Sequence, residues 1–320
     1  MRSPSEFNPR RCPTCGYGGV LAEPEVTSHP KAESLSFDAL IPYWQAESLY
    51  WEALQKEKVF FSYYRCVKCQ TFFCRDYFTP LQLKELYSRM PDNSRGIPVK
   101  MLRKTQKGYF NILKQHSSLS GGYLEIGPDI GLFTEFCTKE GSFEHFWLFE
   151  PKLSARQTLR KAISGKSYDI SSNMFDLSVV PDKRISTAVL IHVLDHLLDP
   201  KATLIEIRKK LTKSAILLMV THDQSSLLPK IIKNKWPPYC LEHPQLFDQS
   251  SIRDLVEAAG YRAVGVKKSC NYFPLLHLTK HLLLTIGLGK MGRLVPKIDS
   301  FQIPLKLGNI VTIATVDNIP

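Results

Sequence analysis

Residues 122–131 read Gly-Tyr-Leu-Glu-Ile-Gly-Pro-Asp-Ile-Gly, and they predict a strand, a tight loop and the start of a helix. The short apolar strand ends in Glu125, and the loop runs from Gly127 to Gly131 before an amphipathic pattern begins. A glycine-rich turn between a strand and a helix is where open α/β sheets bind nucleotide-like ligands. The stretch therefore predicts an open α/β sheet with a ligand site at this turn.

The chemistry of the loop argues against a phosphate ligand. A pyrophosphate cradle needs free backbone N–H groups and no nearby anions. Here Pro128 removes one donor, and Glu125 and Asp129 would repel a phosphate. The loop has neither the dinucleotide spacing G-x-G-x-x-G nor the phosphate-loop pattern G-x-x-x-x-G-K-[ST]. An acidic glycine loop suits a cationic ligand without phosphate, such as S-adenosylmethionine.

A second acidic residue follows at the place where that ligand needs one. Residues 145–149 predict a second buried strand, which is closed by Glu150 and Pro151. A carboxylate at the tip of this strand can accept hydrogen bonds from both hydroxyls of an adenosine ribose. The two acidic features together favour a nucleoside ligand whose charge is positive.

These features resemble the class I S-adenosylmethionine-dependent methyltransferases. Their first motif, acid-x-Gly-x-x-x-Gly, matches Glu125, Gly127 and Gly131, and their ribose-binding acid matches Glu150. The resemblance implies a Rossmann-like, mostly parallel seven-stranded sheet with helices on both faces. It also implies that this loop, including Asp129 where the family usually has a small residue, binds the cofactor together with Glu150.

Two later segments extend the resemblance. His192-Val-Leu-Asp-His196-Leu-Leu-Asp-Pro200 follows a predicted strand at 185–191 and resembles the superfamily element H-V-L-E-H-x-x-D-P. The alternative for both histidines is that they cap the helix that follows. Glu242-His243-Pro-Gln-Leu-Phe247 resembles the superfamily pattern Glu-His-x-x-x-Phe before a helix, here capped by Asp248 or Ser250. Strands are further predicted at 215–220, 261–267 and 309–316.

Four of the eight cysteines form two C-x-x-C pairs. In a chain with no sign of secretion, two such pairs predict a four-thiolate zinc site, and four sulfurs leave no open coordination position. The zinc is therefore expected to be structural, with a redox role for one pair as the alternative. Cys74 is interpreted as a spare buried thiol. The predicted zinc ligands are Cys12, Cys15, Cys66 and Cys69.

A four-cysteine module ahead of a class I methyltransferase domain is similar to the bacterial sugar C-methyltransferases. That family carries a Tyr-x-Glu-His cluster, and here the tyrosine is one residue further away, as Tyr239-x-x-Glu242-His243. An oxygen or carbon acceptor must lose a proton during methylation, and a histidine can take it. His243 and His192 are the predicted bases, and Tyr239 and Glu242 are predicted to orient the acceptor or the base.

Several of these residues have other interpretations. Glu242 and His243 could serve only to fix their loop, and Tyr239 could be plain packing. His192 is also predicted to line the cofactor site, and Asp176 is predicted to contact the adenine. Because the carboxyl ends of parallel strands meet at one edge, Glu125, Glu150, His192 and His222 are expected along the same rim.

Composition bounds the remaining possibilities. The chain has 320 residues, with 43% apolar residues and a net charge of +12. The N-terminal residues include no apolar segment of the kind that predicts secretion. The apolar run at 275–288 is too short and too polar to span a bilayer. We therefore expect a cytoplasmic protein without a membrane span. The positive charge suits an anionic small-molecule acceptor such as a nucleotide-linked sugar, and no RNA-binding signature stands out.

The predicted organisation has three parts. They are a zinc-binding module with a helical insert at 1–80, a helical connector at 81–118, and a methyltransferase domain at 119–320 with a capping insert at 270–308. The predicted function is methyl transfer from S-adenosylmethionine to a small molecule. An RNA methyltransferase and a non-catalytic methyltransferase-fold binding module are the alternatives. The oligomeric state is left open.

Overall fold

The computed structural model describes residues 6–47, 58–88, 99–174, 176–274, 302–306 and 308–316. Most of the predicted capping insert, at 275–301 and 307, therefore lies outside the described residues. The chain forms two compact units, each assembled from separated segments, so the predicted linear boundaries stay a prediction. The first unit comprises Met1–Met101, Gln224–Leu246 and Asn271–Gly308, and the second comprises Leu102–Asp223, Phe247–Cys270 and Asn309–Pro320.

The regular elements alternate between strands and helices through the middle of the chain. The helices are α1 (Phe37–Glu47), α2 (Pro80–Ser88), α3 (Val99–Lys114), α4 (Leu132–Glu140), α5 (Arg156–Ala162), α6 (Pro200–Lys210), α7 (Leu227–Ile232) and α8 (Gln249–Ala258). The first strands are β1 (Asn8–Pro9), β2 (Tyr63–Arg65), β3 (Phe72–Cys74), β4 (Asp76–Tyr77), β5 (Ser120–Ile126), β6 (Ser142–Phe149) and β7 (Ser167–Ser171). The remaining strands are β8 (Ile185–Ile191), β9 (Leu211–His222), β10 (Gln245–Leu246), β11 (Tyr261–Lys268), β12 (Asn271–Pro274), β13 (Gln302–Leu305) and β14 (Asn309–Val316).

The second unit is built on one seven-stranded sheet, which confirms the predicted fold class. Its strands lie in the order β11-β14-β9-β8-β5-β6-β7. The four pairs among β9, β8, β5, β6 and β7 are parallel. Only β14 runs against its neighbours, between β9 and β11. The carboxyl ends of β5, β6, β8 and β9 therefore share one edge of the sheet.

Both faces of this sheet are covered by helices, which explains the nearly continuous apolar strands. Along β6, Phe146 and Leu148 join the core under α3, α4 and α5, whereas Trp147 and Phe149 join the opposite core. That second core contains residues of α6 and α8. Charged side chains of the buried strands consequently lie at or near the strand ends.

Among its described residues, the first unit contains three small sheets. Strand β3 lies between β2 and β10, and β1 pairs with β4, as β12 does with β13. Helix α1 falls where the sequence predicts a helical insert, and it buries Leu40 and Trp44 completely. Helices α2 and α3 lie where the sequence predicts a helical connector, and its role as a connector stays a prediction. The loop predicted at 90–98 lies outside the described residues.

Two helices of the second unit, α6 and α8, begin at an aspartate cap. Asp248 accepts hydrogen bonds from the backbone N–H groups of Ser250 and Ser251, and the Ser251 hydroxyl completes a capping box. The prediction that Asp248 caps α8 is therefore confirmed. None of the helices in the described part of the chain has the length and apolar composition needed to cross a bilayer.

Strand β5 approaches its neighbours closely at Gly122. A Cβ atom there would lie 2.5 Å from the backbone oxygen of Arg184 and 3.1 Å from the Trp147 ring. The strand registers with β6 and β8 both shift next to this glycine. A backbone oxygen in a parallel sheet cannot move aside as a flexible side chain can, so the position requires glycine.

We expect Gly122→Ala to lower the free energy of unfolding by about 1–3 kcal/mol because the added methyl group overpacks the sheet. Gly108→Ala is the matched control, because a methyl group added there, within α3, would meet nothing within 4 Å beyond the helix itself. The control should raise stability by about 0.5–1 kcal/mol, since alanine restricts the unfolded chain and favours helix. Chemical denaturation of both variants measures these changes, and equal effects of the two substitutions would contradict the steric requirement for glycine at position 122.

Candidate active site

The glycine-containing loop between β5 and α4 has an unusual backbone. Gly127, Asp129 and Gly131 have φ angles of 70°, 49° and 77°, all in the left-handed region. Aspartate tolerates this region better than most residues, which explains how it occupies a position where a small residue is usual. At Gly131 a Cβ would come within 3.0 Å of Leu159 and Ala162 in α5, so glycine also permits close helix packing.

Glu150 ties this loop to the end of β6. Its carboxylate accepts the backbone N–H of Asp129 at 2.9 Å and the N–H of Lys152 at 3.0 Å. The side chain is almost completely buried, and burial raises its pKa, although the two N–H donors act in the opposite direction. The carboxylate is therefore held rigidly beside the loop, and its ribose-binding role stays a prediction.

Glu125 lies beneath the loop and is 1% exposed. It accepts hydrogen bonds from the Tyr123 hydroxyl at 2.7 Å and the Thr134 hydroxyl at 2.6 Å. Burial raises the pKa of Glu125 to about 7, and the two donors lower it only in part, while the charge of Glu150 raises it further. The carboxyl group can therefore change its charge near neutral pH.

A polar cluster occupies the ends of β8 and β9. The buried carboxylate of Asp195 accepts the backbone N–H of His222 at 3.0 Å and contacts its ring Nδ1 at 2.8 Å. The ring centroids of His192 and His222 are 4.6 Å apart. The Asn309 amide contacts His192 Nε2 at 3.2 Å and the Tyr109 hydroxyl at 3.1 Å. His192 itself has a left-handed φ of 53°.

The alternative role of His192 and His196 as helix caps is wrong. The cap of α6 is Asp199, whose side chain accepts the backbone N–H of Ala202 at 2.9 Å, with Pro200 in the first turn. His196 instead ends a short 3₁₀ turn. An aspartate immediately before a proline is the stronger capping signal because it combines an acceptor with a preset backbone angle.

Asp176, the predicted adenine contact, is exposed and caps another 3₁₀ turn. Its side chain accepts the backbone N–H of Ser178 at 3.1 Å, and hydrogen bonding to Ser178 lowers its pKa. Residue 175, next to it, lies outside the described residues. The adenine contact stays a prediction.

The other predicted catalytic residues belong to the first unit. His243 is buried, with its Nδ1 2.8 Å from the carbonyl oxygen of Pro238, so Nδ1–H donates and the lone pair lies on Nε2. Its own carbonyl accepts the Tyr63 hydroxyl at 2.6 Å. Burial raises the pKa of Glu242, and the neighbouring His243 lowers it in part.

Tyr239 is 5% exposed and packs within an aromatic cluster. Burial raises its pKa to about 12. Its predicted orienting role and the packing alternative both remain open, because buried tyrosines serve in each. The aromatic neighbours are Phe60, Tyr63, Phe72 and Trp236.

The four paired cysteines come together in the first unit. Their Sγ atoms all lie within 4.8 Å of one another, with Cys12 and Cys69 3.4 Å apart and Cys15 and Cys66 3.6 Å apart. Both pairs form the same turn. In each, the N–H of the fifth residue of the turn, Gly16 or Gln70, donates to the carbonyl of the first cysteine at 2.9 Å. Cys74 is buried, outside this cluster.

Sequence reasoning missed Asp195 and assigned no role to His222. The one local signal was the spacing of His192 and Asp195 after a predicted strand. That signal does not reveal the partner of Asp195, because β9 brings His222 to it from 27 residues away. Thr134 was missed for the same reason, since only the packing of α4 on β5 shows that it donates to Glu125. Tyr123, which also donates to Glu125, lies two residues earlier on the same face of β5.

We expect Glu125→Gln to remove a pH dependence of stability. A carboxyl whose folded pKa is about 7, above its ordinary 4.5, stabilises the fold below its unfolded pKa and loses that contribution as pH rises through 7. Between about pH 5 and about pH 8, the free energy of unfolding of the wild type should therefore fall by up to about 3 kcal/mol more than that of the variant. Glu206→Gln, at an exposed site, is the control in the same denaturation series. Parallel curves for wild type and Glu125→Gln would contradict the shift.

Comparison with known proteins shows the family to which this chain belongs. A family model described as a methyltransferase domain matches residues 82–266. No curated protein matches the sequence. Similar solved structures include S-adenosylmethionine-dependent methyltransferases from Archaeoglobus fulgidus, Methanosarcina mazei and Leishmania major.

The structural similarities are low. The Archaeoglobus protein is 16% identical, with 74% of this chain and 100% of that chain covered and a TM-score of 0.46. The Methanosarcina protein is 14% identical, with 64% of this chain and 96% of that chain covered and a TM-score of 0.42. The Leishmania protein is 11% identical, with 87% of this chain and 82% of that chain covered and a TM-score of 0.44. The assignment rests instead on the family model, which spans more than half of the 320 residues. This chain belongs to the methyltransferase domain family, whose cofactor is S-adenosylmethionine.

Proposed function

We propose that this protein transfers a methyl group from S-adenosylmethionine to a nucleotide-linked sugar. The observation that carries the proposal is the Glu150 carboxylate, held by the backbone N–H groups of Asp129 and Lys152 at the edge of the glycine loop. A fixed acid beside a loop that is poor in free donors suits a ribose without a phosphate.

The residues at this edge fit the cofactor chemically. Each oxygen of Glu150 accepts one backbone N–H, and a carboxylate oxygen has a second lone pair with which to accept a ribose hydroxyl. Gly127, Asp129 and Gly131 would line the rest of the nucleoside, and Glu125 adds an acid below. When bound, the cofactor supplies a methyl group on a positively charged sulfur, which acidic surroundings favour.

The choice of acceptor rests on two features. The cysteine pairs and the Tyr239-x-x-Glu242-His243 segment resemble the sugar C-methyltransferases, and the net charge of +12 attracts an anionic substrate such as a sugar nucleotide. The acceptor-orienting roles of Glu242 and Tyr239 stay predictions from the sequence. The base role of His243, whose lone pair lies on Nε2, stays a prediction from the sequence.

We further propose that Cys12, Cys15, Cys66 and Cys69 hold one structural zinc ion. A tetrahedral site with Zn–S bonds of about 2.3 Å separates its sulfurs by about 3.8 Å. The spacing of these four sulfurs, including the contacts of 3.4 Å and 3.6 Å, fits such a site. The two matching turns present one pair each, as a four-thiolate site requires.

We expect Glu150→Ala to weaken binding of S-adenosylhomocysteine by about 10- to 100-fold, because hydrogen bonds to a charged group contribute about 1.5–3 kcal/mol. Glu144→Ala, an exposed acid at the other end of β6, should leave affinity unchanged. Isothermal calorimetry on the full chain tests both variants. The cofactor assignment fails if wild type does not bind.

The acceptor is tested by incubating the full chain with radiolabelled S-adenosylmethionine and either a panel of nucleotide-linked sugars or total RNA. We expect label on a sugar nucleotide. Label on RNA, with binding that weakens steeply as salt rises, would overturn the acceptor class. Cofactor binding without transfer to any acceptor would favour the non-catalytic module instead.

The purified chain should contain about one zinc ion by elemental mass spectrometry, since four thiolates complete one tetrahedral site. Cys66→Ser should lose the metal, because three thiolates bind it more weakly. Cys74→Ser should keep it, because Cys74 lies outside the cluster. A metal-free wild type whose cysteine pairs are joined as disulfides would support the redox alternative and contradict the zinc site.

A further inference from the structure

The sheet order separates the two ends of the candidate active site. Glu150 follows β6, the glycine loop follows β5, and His192 and His222 lie at the ends of β8 and β9 on the far side of β5. A nucleoside whose ribose lies at Glu150 therefore has the ends of β8 and β9 on the opposite side of the loop. The side chains of that region can therefore act on the acceptor.

His222 and Asp195 form a carboxylate–imidazole pair in this region. Asp195 is completely buried, and a single oxygen, Oδ2, receives both the backbone N–H and the ring Nδ1 of His222. A carboxylate can only accept, so Nδ1 carries the proton and the lone pair lies on Nε2. The backbone hydrogen bond prevents the carboxylate from moving away from the ring. About a tenth of the His222 side chain is exposed.

We propose that His222 is the general base of the methyl transfer and that Asp195 is its positioning residue. This proposal rests on the proposed function. A buried carboxylate on Nδ1 selects the tautomer that can accept a proton at Nε2 and stabilises the imidazolium that results. The pair therefore has the two properties that a base for an oxygen or carbon acid needs.

The surroundings of the pair support proton transfer. Within the described residues, the titratable and charged groups near it include His192, His196, Tyr109, Asp223 and Lys268. Asp223 is buried, with its carboxylate 3.6 Å from the Lys268 ammonium group. His192 Nε2 faces the Asn309 amide nitrogen at 3.2 Å, so it accepts a hydrogen bond and its ring is held beside that of His222. A neutral, fixed His192 adds no positive charge that would oppose protonation of His222.

The same side chains could in principle hold a metal ion, because ligand atoms of His192, Asp195 and His222 lie within 4.8 Å of one another. The contacts favour a proton instead. The short distance between Asp195 Oδ2 and His222 Nδ1 is that of a hydrogen bond, and the Asn309 amide occupies His192 Nε2. Metal content is nevertheless measured as one arm of the test.

Methyl transfer with His222 as the base conserves atoms and electrons. The acceptor's oxygen or carbon gives its proton to His222 Nε2 and its electron pair to the methyl carbon, whose bond to sulfur breaks with both electrons remaining on the sulfur. The products are the methylated acceptor, neutral S-adenosylhomocysteine and an imidazolium at His222. The imidazolium then returns its proton to water.

Carbethoxylation by diethylpyrocarbonate tests the base without an acceptor, because the reagent attacks neutral imidazole nitrogens. His145 is an internal control, since it also contacts a carboxylate, that of Asp169 at 3.0 Å, but lies near the start of β6. Peptide mapping should show both histidines modified. With S-adenosylhomocysteine at about 100 times its Kd, modification of His222 should slow at least about tenfold, and that of His145 should not change.

Asp195→Asn should move the half-maximal reaction of His222 to lower pH, because the imidazolium loses its carboxylate partner. On any acceptor that turns over, His222→Gln should lower kcat by about 100- to 10,000-fold with unchanged KM, and His145→Gln should not. Retained S-adenosylhomocysteine binding in these variants separates failure of the base from failure of the proposed function.

Two results would overturn the proposal. The first is a His222 that is unreactive, or reactive but unprotected, in protein that binds S-adenosylhomocysteine. The second is a divalent ion, present at one per chain besides any zinc on the cysteines, that is lost in His222→Gln and kept in Cys66→Ser. That result would assign the cluster to a metal instead.

Discussion

Burial of both faces of the seven-stranded sheet is the constraint on which the rest of the second unit depends. Apolar side chains from β6 enter the cores on either face, so a charged group along the strand would be left without water. Charged and polar side chains consequently collect where the strands end. The parallel direction of five neighbouring strands brings these ends to one edge, where the acids and histidines meet.

The acids at this edge illustrate two uses of a carboxylate. Glu150 accepts backbone N–H groups and thereby fixes the shape of the loop that contains Asp129. Glu125 is enclosed by hydroxyl donors and apolar residues, so burial dominates and its pKa rises to about 7. Glu150 fixes the conformation of the loop, whereas Glu125 can gain or lose its proton near neutral pH. The left-handed turn follows Glu125 and contains the Asp129 N–H that Glu150 accepts.

The first unit shows how distant segments complete a small structure. Strand β10 joins the sheet of β3 and β2, which flanks the cysteine turns, although about 170 residues separate the paired strands. The segment that contains Tyr239, Glu242 and His243 is held there by hydroxyl groups of Tyr63 and Tyr77, which donate to the carbonyls of His243 and Leu241. A loop so fixed can present a side chain with little entropy cost, which suits either a structural or an acceptor-orienting role.

The sequence by itself determined the glycine loop, the acid at 150, the two cysteine turns and the cap at Asp248, because each depends on residues within a short stretch. Tertiary structure alone decided which groups meet across the chain. It placed Asp195 against His222, Asn309 against His192, and Thr134 against Glu125. These contacts follow from strand order and helix packing, which bring distant residues together and leave no mark in the local pattern.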